Sequence, residues 1–322
     1  SVTGVQTCAL PILSCGALLS RLDEPCAICR RSQRITRLVL AGFVAVTVGL
    51  AALMLILVFV KASTGAWPSL PRVGAPSEQE VLARSIELID EENYAGAIEE
   101  LDRVIRLNPG MAAAFYNRAR AFHRQKDYDR AIADYDEAIR LDPHSANAFN
   151  NRGFVWADKG RYDLSISDLD EAIRLDPHNA DPFNNRGRAW ANKGQYDRAI
   201  SDFDEAIRLN PKHALAFYNR GVTWWQKGQL DRAISDYDES LRLNPRDARV
   251  YQFRGIALAG KGQYDRAISD YDEAIRLNPQ NALAFQNRGA AWAAKGQYDR
   301  AISDYDEAIR FDPLDANAFH NR

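Results

Sequence analysis

Between Glu78 and Asp315 apolar and polar residues recur with a period of 34, so this stretch is one unit written seven times. Counting each unit from Glu78, Ala112, Ala146, Ala180, Ala214, Ala248 and Ala282, apolar residues fall at positions 4 and 11, then at 20, 21, 24, 27, 28 and 30. These are helical spacings in two segments, each long enough for three turns. Gly160, Gly194, Gly228, Gly262 and Gly296 stand at position 15, where a left-handed residue can end the first helix. Asp at position 18, such as Asp197 and Asp231, is expected to cap the second helix. Prolines from Pro109 to Pro313 hold position 32 and disfavour helical geometry in the residue before them, which stops the second helix. Small residues at 8, 20 and 27 let helices approach closely, while large side chains at 4, 11, 17 and 24 fill the gaps. A fixed period of this size predicts an all-α stacked array of seven helix-turn-helix units, at 78–111, 112–145, 146–179, 180–213, 214–247, 248–281 and 282–315.

Upstream the pattern changes. Leu38–Val60 is 23 residues without a charge, and a bilayer core needs about 20 apolar residues in a helix. Arg30, Arg31, Arg34 and Arg37 crowd its front, whereas Lys61 and Arg72 are the basic residues close behind. The positive-inside rule then predicts a single-pass membrane protein with a cytoplasmic N-terminus and the repeats on the periplasmic or extracytoplasmic side. The competing reading is a signal peptide with a weak cleavage site around Val60-Lys61-Ala62, although signal cores are usually about 7–15 residues. Residues 61–77 are rich in Pro, Gly and Ser and read as a semi-stiff spacer.

The ends look artificial. The chain starts without methionine, and Val2–Ile12 looks like the in-frame translation of a widely used short-read sequencing adapter, so residues 1–12 are excluded from fold reasoning. Residues 13–37 form a basic segment expected to be cytoplasmic; its Cys26-Ala-Ile-Cys29 lacks the further ligands a zinc site needs. Residues 316–322 open an eighth unit, so the chain reads as a fragment at both ends. If so, the seventh unit lacks a neighbour, and surface beside Ala301, Tyr305 and Ala308 is expected to be uncovered.

Composition narrows the function classes. A net charge of −2 from 41 basic and 43 acidic side chains leaves no electrostatic footprint for nucleic acid. All four cysteines precede the repeats, so no disulfide framework holds them. No nucleophile–base set, phosphate loop or metal constellation stands out, and no cofactor or small-molecule substrate is inferred. His144, His178 and His213 are each about one unit apart, too far to share a metal.

The unit resembles the tetratricopeptide repeat family, on Phe183, Gly187, Trp190, Tyr196, Ala199, Phe203, Ala206 and Pro211 in its fourth copy. The first copy departs most, with Glu87 and Glu92 where later copies carry smaller residues. The resemblance implies an antiparallel helix pair per unit, a right-handed superhelical solenoid, and a concave groove that binds peptides or proteins without catalysis. Members that hold acidic chaperone tails use a lysine at position 5 and an asparagine at 9, which this chain lacks.

Comparing copies separates scaffold from site, because a residue present in every unit is one the unit itself needs. Arginine at position 7, from Arg84 to Arg288, is expected to pack its stem between helices and meet carboxylates of the DYDEAIR segment. Within that segment Asp272 and Arg276 should pair at i,i+4 on a solvated face. Positions 2, 5, 9, 12 and 13 line the concave face in the family, and here they vary. They nominate Tyr116, Arg120, His123 and Arg124 in the second copy, and Leu215, Tyr218, Val222 and Trp225 in the fifth. Trp225, where most other copies carry alanine, is either an exposed binding hot spot or packing against a neighbouring helix. The expected function is a membrane-anchored scaffold for a protein or peptide partner in a bacterium. The alternatives are the recruiting arm of a larger enzyme and a secreted binding module.

Overall fold

The computed structural model describes residues 77–313 and His320. The adapter-like start, the basic segment, the apolar stretch 38–60, all but the last residue of the spacer 61–77 and the cysteines lie outside the described residues. Fourteen helices follow in order: α1 Glu78–Asp90, α2 Tyr94–Leu107, α3 Ala112–Arg124, α4 Tyr128–Leu141, α5 Ala146–Asp158, α6 Tyr162–Leu175 and α7 Ala180–Asn192, then α8 Tyr196–Leu209, α9 Ala214–Gln226, α10 Leu230–Leu243, α11 Ala248–Gly260, α12 Tyr264–Leu277, α13 Ala282–Ala294 and α14 Tyr298–Phe311. They form seven pairs. Each odd-numbered helix packs on the even one after it, and each even helix packs on the next odd one. Successive odd helices also touch, more than successive even ones do, so the odd helices line the inner side of the curve.

The turn inside each pair depends on a left-handed residue. Gly194 has φ +75°, with nothing within 4 Å of where a Cβ would sit, so the angle and not the space calls for glycine. The amide after it, at Gln195, then donates back to the Trp190 carbonyl at 2.9 Å and satisfies an orphan acceptor. Glu92 and Lys126 hold the same conformation in the first two copies at φ 61° and 62°, which costs each about 1–2 kcal/mol.

Aspartate at position 18 is not the cap. The even helices begin at position 17, and the capping place is 16, where only Asn93 and Asp127 accept a backbone N–H with their side chains. Asp197 and its equivalents sit one step inside, in the first turn, where a negative charge suits the helix dipole. Their carboxylates take the lysine Nζ of the following copy, as in Lys227 to Asp197.

The core is made where small meets large. Tyr237 is fully buried, and a Cβ on Gly221 would lie 2.7 Å from its ring, closer than atoms pack. Burying one such ring is worth roughly 1.5–3 kcal/mol. At the far end Ala301, Tyr305 and Ala308 are buried, against expectation. The exposed large apolar side chains there are Tyr298 at 67% and Ile302 at 41%. Position 21 elsewhere, as in Ile132 and Ile268, is buried against positions 10 and 11 of the next copy, Val155 with Trp156 and Ala291 with Trp292.

The expected single-pass membrane topology, with a cytoplasmic N-terminus and extracytoplasmic repeats, is corrected. Among the described residues no helix is long and apolar enough to cross a membrane. The longest has 14 residues, about 21 Å at 1.5 Å per residue, against a hydrocarbon core of about 30 Å.

Candidate functional site

The recurring arginine at position 7 is structural. Arg186 on α7 grips Asp202 of α8 with Nε and Nη2 at 2.9 and 2.6 Å, and reaches Asp170 of α6 with Nη1 at 2.6 Å. Arg118, Arg152, Arg220, Arg254 and Arg288 repeat this fork, so each clamps its own pair to the preceding one. The ring at position 4, Phe183 under Arg186 at 5.6 Å, covers the guanidinium from below. Burial pushes the Asp168, Asp202 and Asp236 carboxyls above the usual range, with the arginines pulling back. For Arg186 and Arg220 burial works against the charge, and the two aspartates of each fork outweigh it and hold the guanidinium above its ordinary value.

Two expectations change here. Asp272 does not pair with Arg276; it accepts from Arg288 at 2.5 Å, and Arg276 is held by Glu273 at i,i+3. Nor is the carboxylate run wholly solvated, since the Asp202 side chain is 9% exposed where Asp170 is 56% exposed.

A second ladder runs along the odd helices. Asn151 donates to the Tyr116 hydroxyl, Asn185 to Asn150 and Asn219 to Asn184, each at 2.9 Å. Position 6 of one copy thus holds position 5 of the copy before. In the sixth copy this residue is Phe253, and the ladder stops. The Phe253 ring stands edge-on to Tyr218 at 5.7 Å and to Trp225 at 6.4 Å.

The eight nominated residues therefore divide. Arg120, His123, Arg124 and Leu215 line one groove of about 550 Å³ that runs from α3 across α5 and α7 to α9. Tyr116 touches its margin through Asn151, which lines it. Tyr218, Val222 and Trp225 instead pack into the apolar cluster around Tyr237 with Phe253. Trp225 is half-buried, with its ring edge-on to Phe253 of the neighbouring helix α11.

Several residues in and beside the groove were not nominated. Asp158 at the end of α5 accepts from His123 Nε2 at 2.9 Å and from Arg188 Nη2 at 3.2 Å. Phe154 lies between them, with the Arg188 guanidinium 4.0 Å over its ring and the His123 ring edge-on at 5.4 Å. Arg188 Nε is buried with no hydrogen-bond partner, and burial holds this guanidinium below its usual value against the pull of Asp158. Farther along, His213 Nε2 lies 3.2 Å from Asp181, close enough to pair although off line for a hydrogen bond. That imidazole holds the Asp181 carboxyl below the usual range. The same rule of variation at positions 2, 9 and 13 would have found Phe154, Asp158, Arg188 and Asp181 had it been applied to the third and fourth copies. His213 had no such signal, because it stands in a turn between copies.

At the α3 end three cations remain without an acid. Arg120 donates to the Asn117 amide oxygen at 3.0 Å, and among the described residues neither it nor Arg124 nor Lys126 is ion-paired. No group of three or more potential metal ligands occurs among the described residues. The groove offers ion pairing, amide hydrogen bonds and one stacked ring, which are means of recognition.

The family model for the tetratricopeptide repeat matches residues 82–146, 184–248 and 254–316, and a second such model matches 119–184. No curated protein matches the chain. Among solved structures, a tetratricopeptide repeat protein from Parabacteroides merdae is 20% identical, with a TM-score of 0.59 over 76% of this chain and 97% of its own. Pseudomonas aeruginosa pilF is 22% identical, with a TM-score of 0.58 over 65% of this chain and 95% of that one. The Cut9–Hcn1 hetero-tetramer of APC/C gives 17% identity and a TM-score of 0.63 over 76% of this chain and 52% of the other. At these identities the likeness is one of fold.

Proposed function

Because the chain belongs to the tetratricopeptide repeat family, we propose that it is a scaffold that captures a segment of another protein in the groove between α3 and α9. The observation that carries this reading is the break in repetition. Six of the seven copies build the same arginine fork, whereas in this concavity, among the described residues, non-recurring charged and aromatic side chains converge. A surface that served only to stack copies would have no cause to differ from copy to copy. Its size suits an extended peptide: interaction surfaces with a few well-placed polar groups and an aromatic anchor are what hot spots need.

The test is a selection of random peptides against the purified chain, followed by hydrogen exchange on the complexes. Protection confined to α3, α5 and α7 is expected. Selected peptides that protect only the even helices would move the site to the other side of the array and end this reading.

A further inference from the structure

The charges along the groove are not evenly distributed, and this deepens the functional reading, on which it rests. Of its acids, Asp158 is already shared by His123 and Arg188, and Asp181 by His213. The cations Arg120, Arg124 and Lys126 gather at the α3 end without a carboxylate. Elsewhere recurring arginines and lysines are paired by the forks at position 7, by Glu at position 26 and by Asp at position 18. Arg198, Arg232 and Arg300 lie over tryptophan rings without an acid among the described residues. What sets Arg120, Arg124 and Lys126 apart is that all three line one concavity. Three uncompensated cations in one concavity, on a chain whose net charge is −2, are a local excess that a partner can answer. At the opposite end Leu215 is 41% exposed and points to an apolar contact.

We infer that the groove takes an extended, internal protein segment with a cluster of acidic side chains at the α3 end and an aliphatic side chain at Leu215. The spacing follows from the fold. Three steps between neighbouring odd helices, each about 8–10 Å, put the two ends roughly 25–30 Å apart. An extended chain covers that in about eight or nine residues at ~3.3 Å each. Arg120 and Arg124 are one helical turn apart, with Lys126 beyond, so the positive charge is spread over several ångströms. That spread matches two or three side-chain carboxylates better than the single carboxylate of a chain end. The Asn150, Asn151, Asn184 and Asn185 amides on the floor between the ends supply hydrogen-bonding groups for the intervening peptide backbone.

The experiment is fluorescence anisotropy of the full chain with labelled peptides of about 12 residues, amidated at the C-terminus, carrying Glu-Glu-Asp and a Leu about eight residues apart in either order. Companion peptides replace the acids by Lys, replace Leu by Ser, or shorten the spacing to about three residues. The acidic peptide should bind at least about tenfold tighter than the lysine peptide, and weaken as salt rises from about 50 to about 500 mM. Arg124→Glu should weaken it about tenfold, with the thermal midpoint of the variant checked so that unfolding is not mistaken for lost binding. Equal binding of the lysine peptide, indifference to Arg124→Glu, or a requirement for a free C-terminal carboxylate would each overturn the inference. If random selection yields groove-protecting peptides without acidic residues, the inference fails while the groove reading stands. If no selected peptide protects the groove, both fail.

Discussion

Arg118 and Arg124 stand on the same helix, less than two turns apart, and have opposite fates. Arg118 is held by Asp134 and Asp102 at 2.5–2.7 Å between three helices, while Arg124 is exposed and has no acid to hold. One belongs to the seam that repeats in the later copies; the other belongs to the groove that occurs once. The contrast shows why residue type says little alone in an array. What separates scaffold from site is whether the partners of a side chain come with the repeat.

The seam should carry the largest energetic effect. Arg220→Met removes the partner of Asp236, whose carboxylate is nearly buried, and should destabilise the array by about 3–5 kcal/mol in urea unfolding. The pH dependence gives a second reading. Burial already pushes Asp236 upward, and without Arg220 its folded pKa should rise further above the unfolded value of about 3.9. A raised acid binds its proton more tightly in the fold, so the variant should regain stability as pH falls through that folded pKa. A loss under about 1 kcal/mol, or no recovery with acid, would mean that the fork is a solvated surface pair and that the contrast fails.

Trp225→Ala comes next, and it tests which side of the division this residue falls on. Its ring is half-buried beside Phe253 and Val222, so truncation should cost about 2–3 kcal/mol, less than for a fully buried tryptophan. A stable variant that lost peptide binding would return Trp225 to the site, as an exposed hot spot.

The stacking of helix pairs could be read from the sequence because its causes are local. Glycine at position 15, proline at 32 and the apolar spacing each act within one unit. Less legible was anything decided one copy away. Asp197 reads as a cap because its neighbours suggest one, yet its carboxylate answers Lys227 in the next unit. Asp272 looks paired with Arg276 along one helix, but the Arg288 fork takes it across a seam. Trp225 is unusual in its own column, and Phe253 is unusual in a different column of the next copy. Their meeting is invisible while columns are compared one at a time. The Asp158 hub was hidden for the same reason, since His123, Phe154 and Arg188 come from three copies and two columns.

The lysine ladder is intermediate. Lys227 meets Asp197 of the preceding copy and lies over the Trp224 ring, but the aspartate is 90% exposed. Exposed pairs are worth about 0–1 kcal/mol, so Lys227→Met should cost no more than this, and high salt should erase the part that is ionic. A loss as large as that of Arg220→Met would show that recurrence, and not burial, sets the energy of a contact.

The smallest expected effect is the most informative. Arg124→Gln should leave stability within about 1 kcal/mol of the parent, because an exposed side chain with no ion pair has little folding energy to lose. What it can lose is its placing in the last turn of α3, where a positive charge meets the negative end of the helix dipole and contributes about 0.3–1 kcal/mol. Glutamine is shorter but keeps the first two methylenes and a hydrogen-bonding tip, so the lower stem is retained while the charge is removed. Arg118→Gln on the same helix is the internal control, since it makes the same chemical change and differs only in the partners it abandons. If the two variants unfold at very different urea concentrations, energy follows the seam, and the cations at the α3 end of the groove are free to serve a partner. Should they unfold together, Arg124 is bearing structural load that its open position conceals, and the groove would lose its claim to be separate from the scaffold.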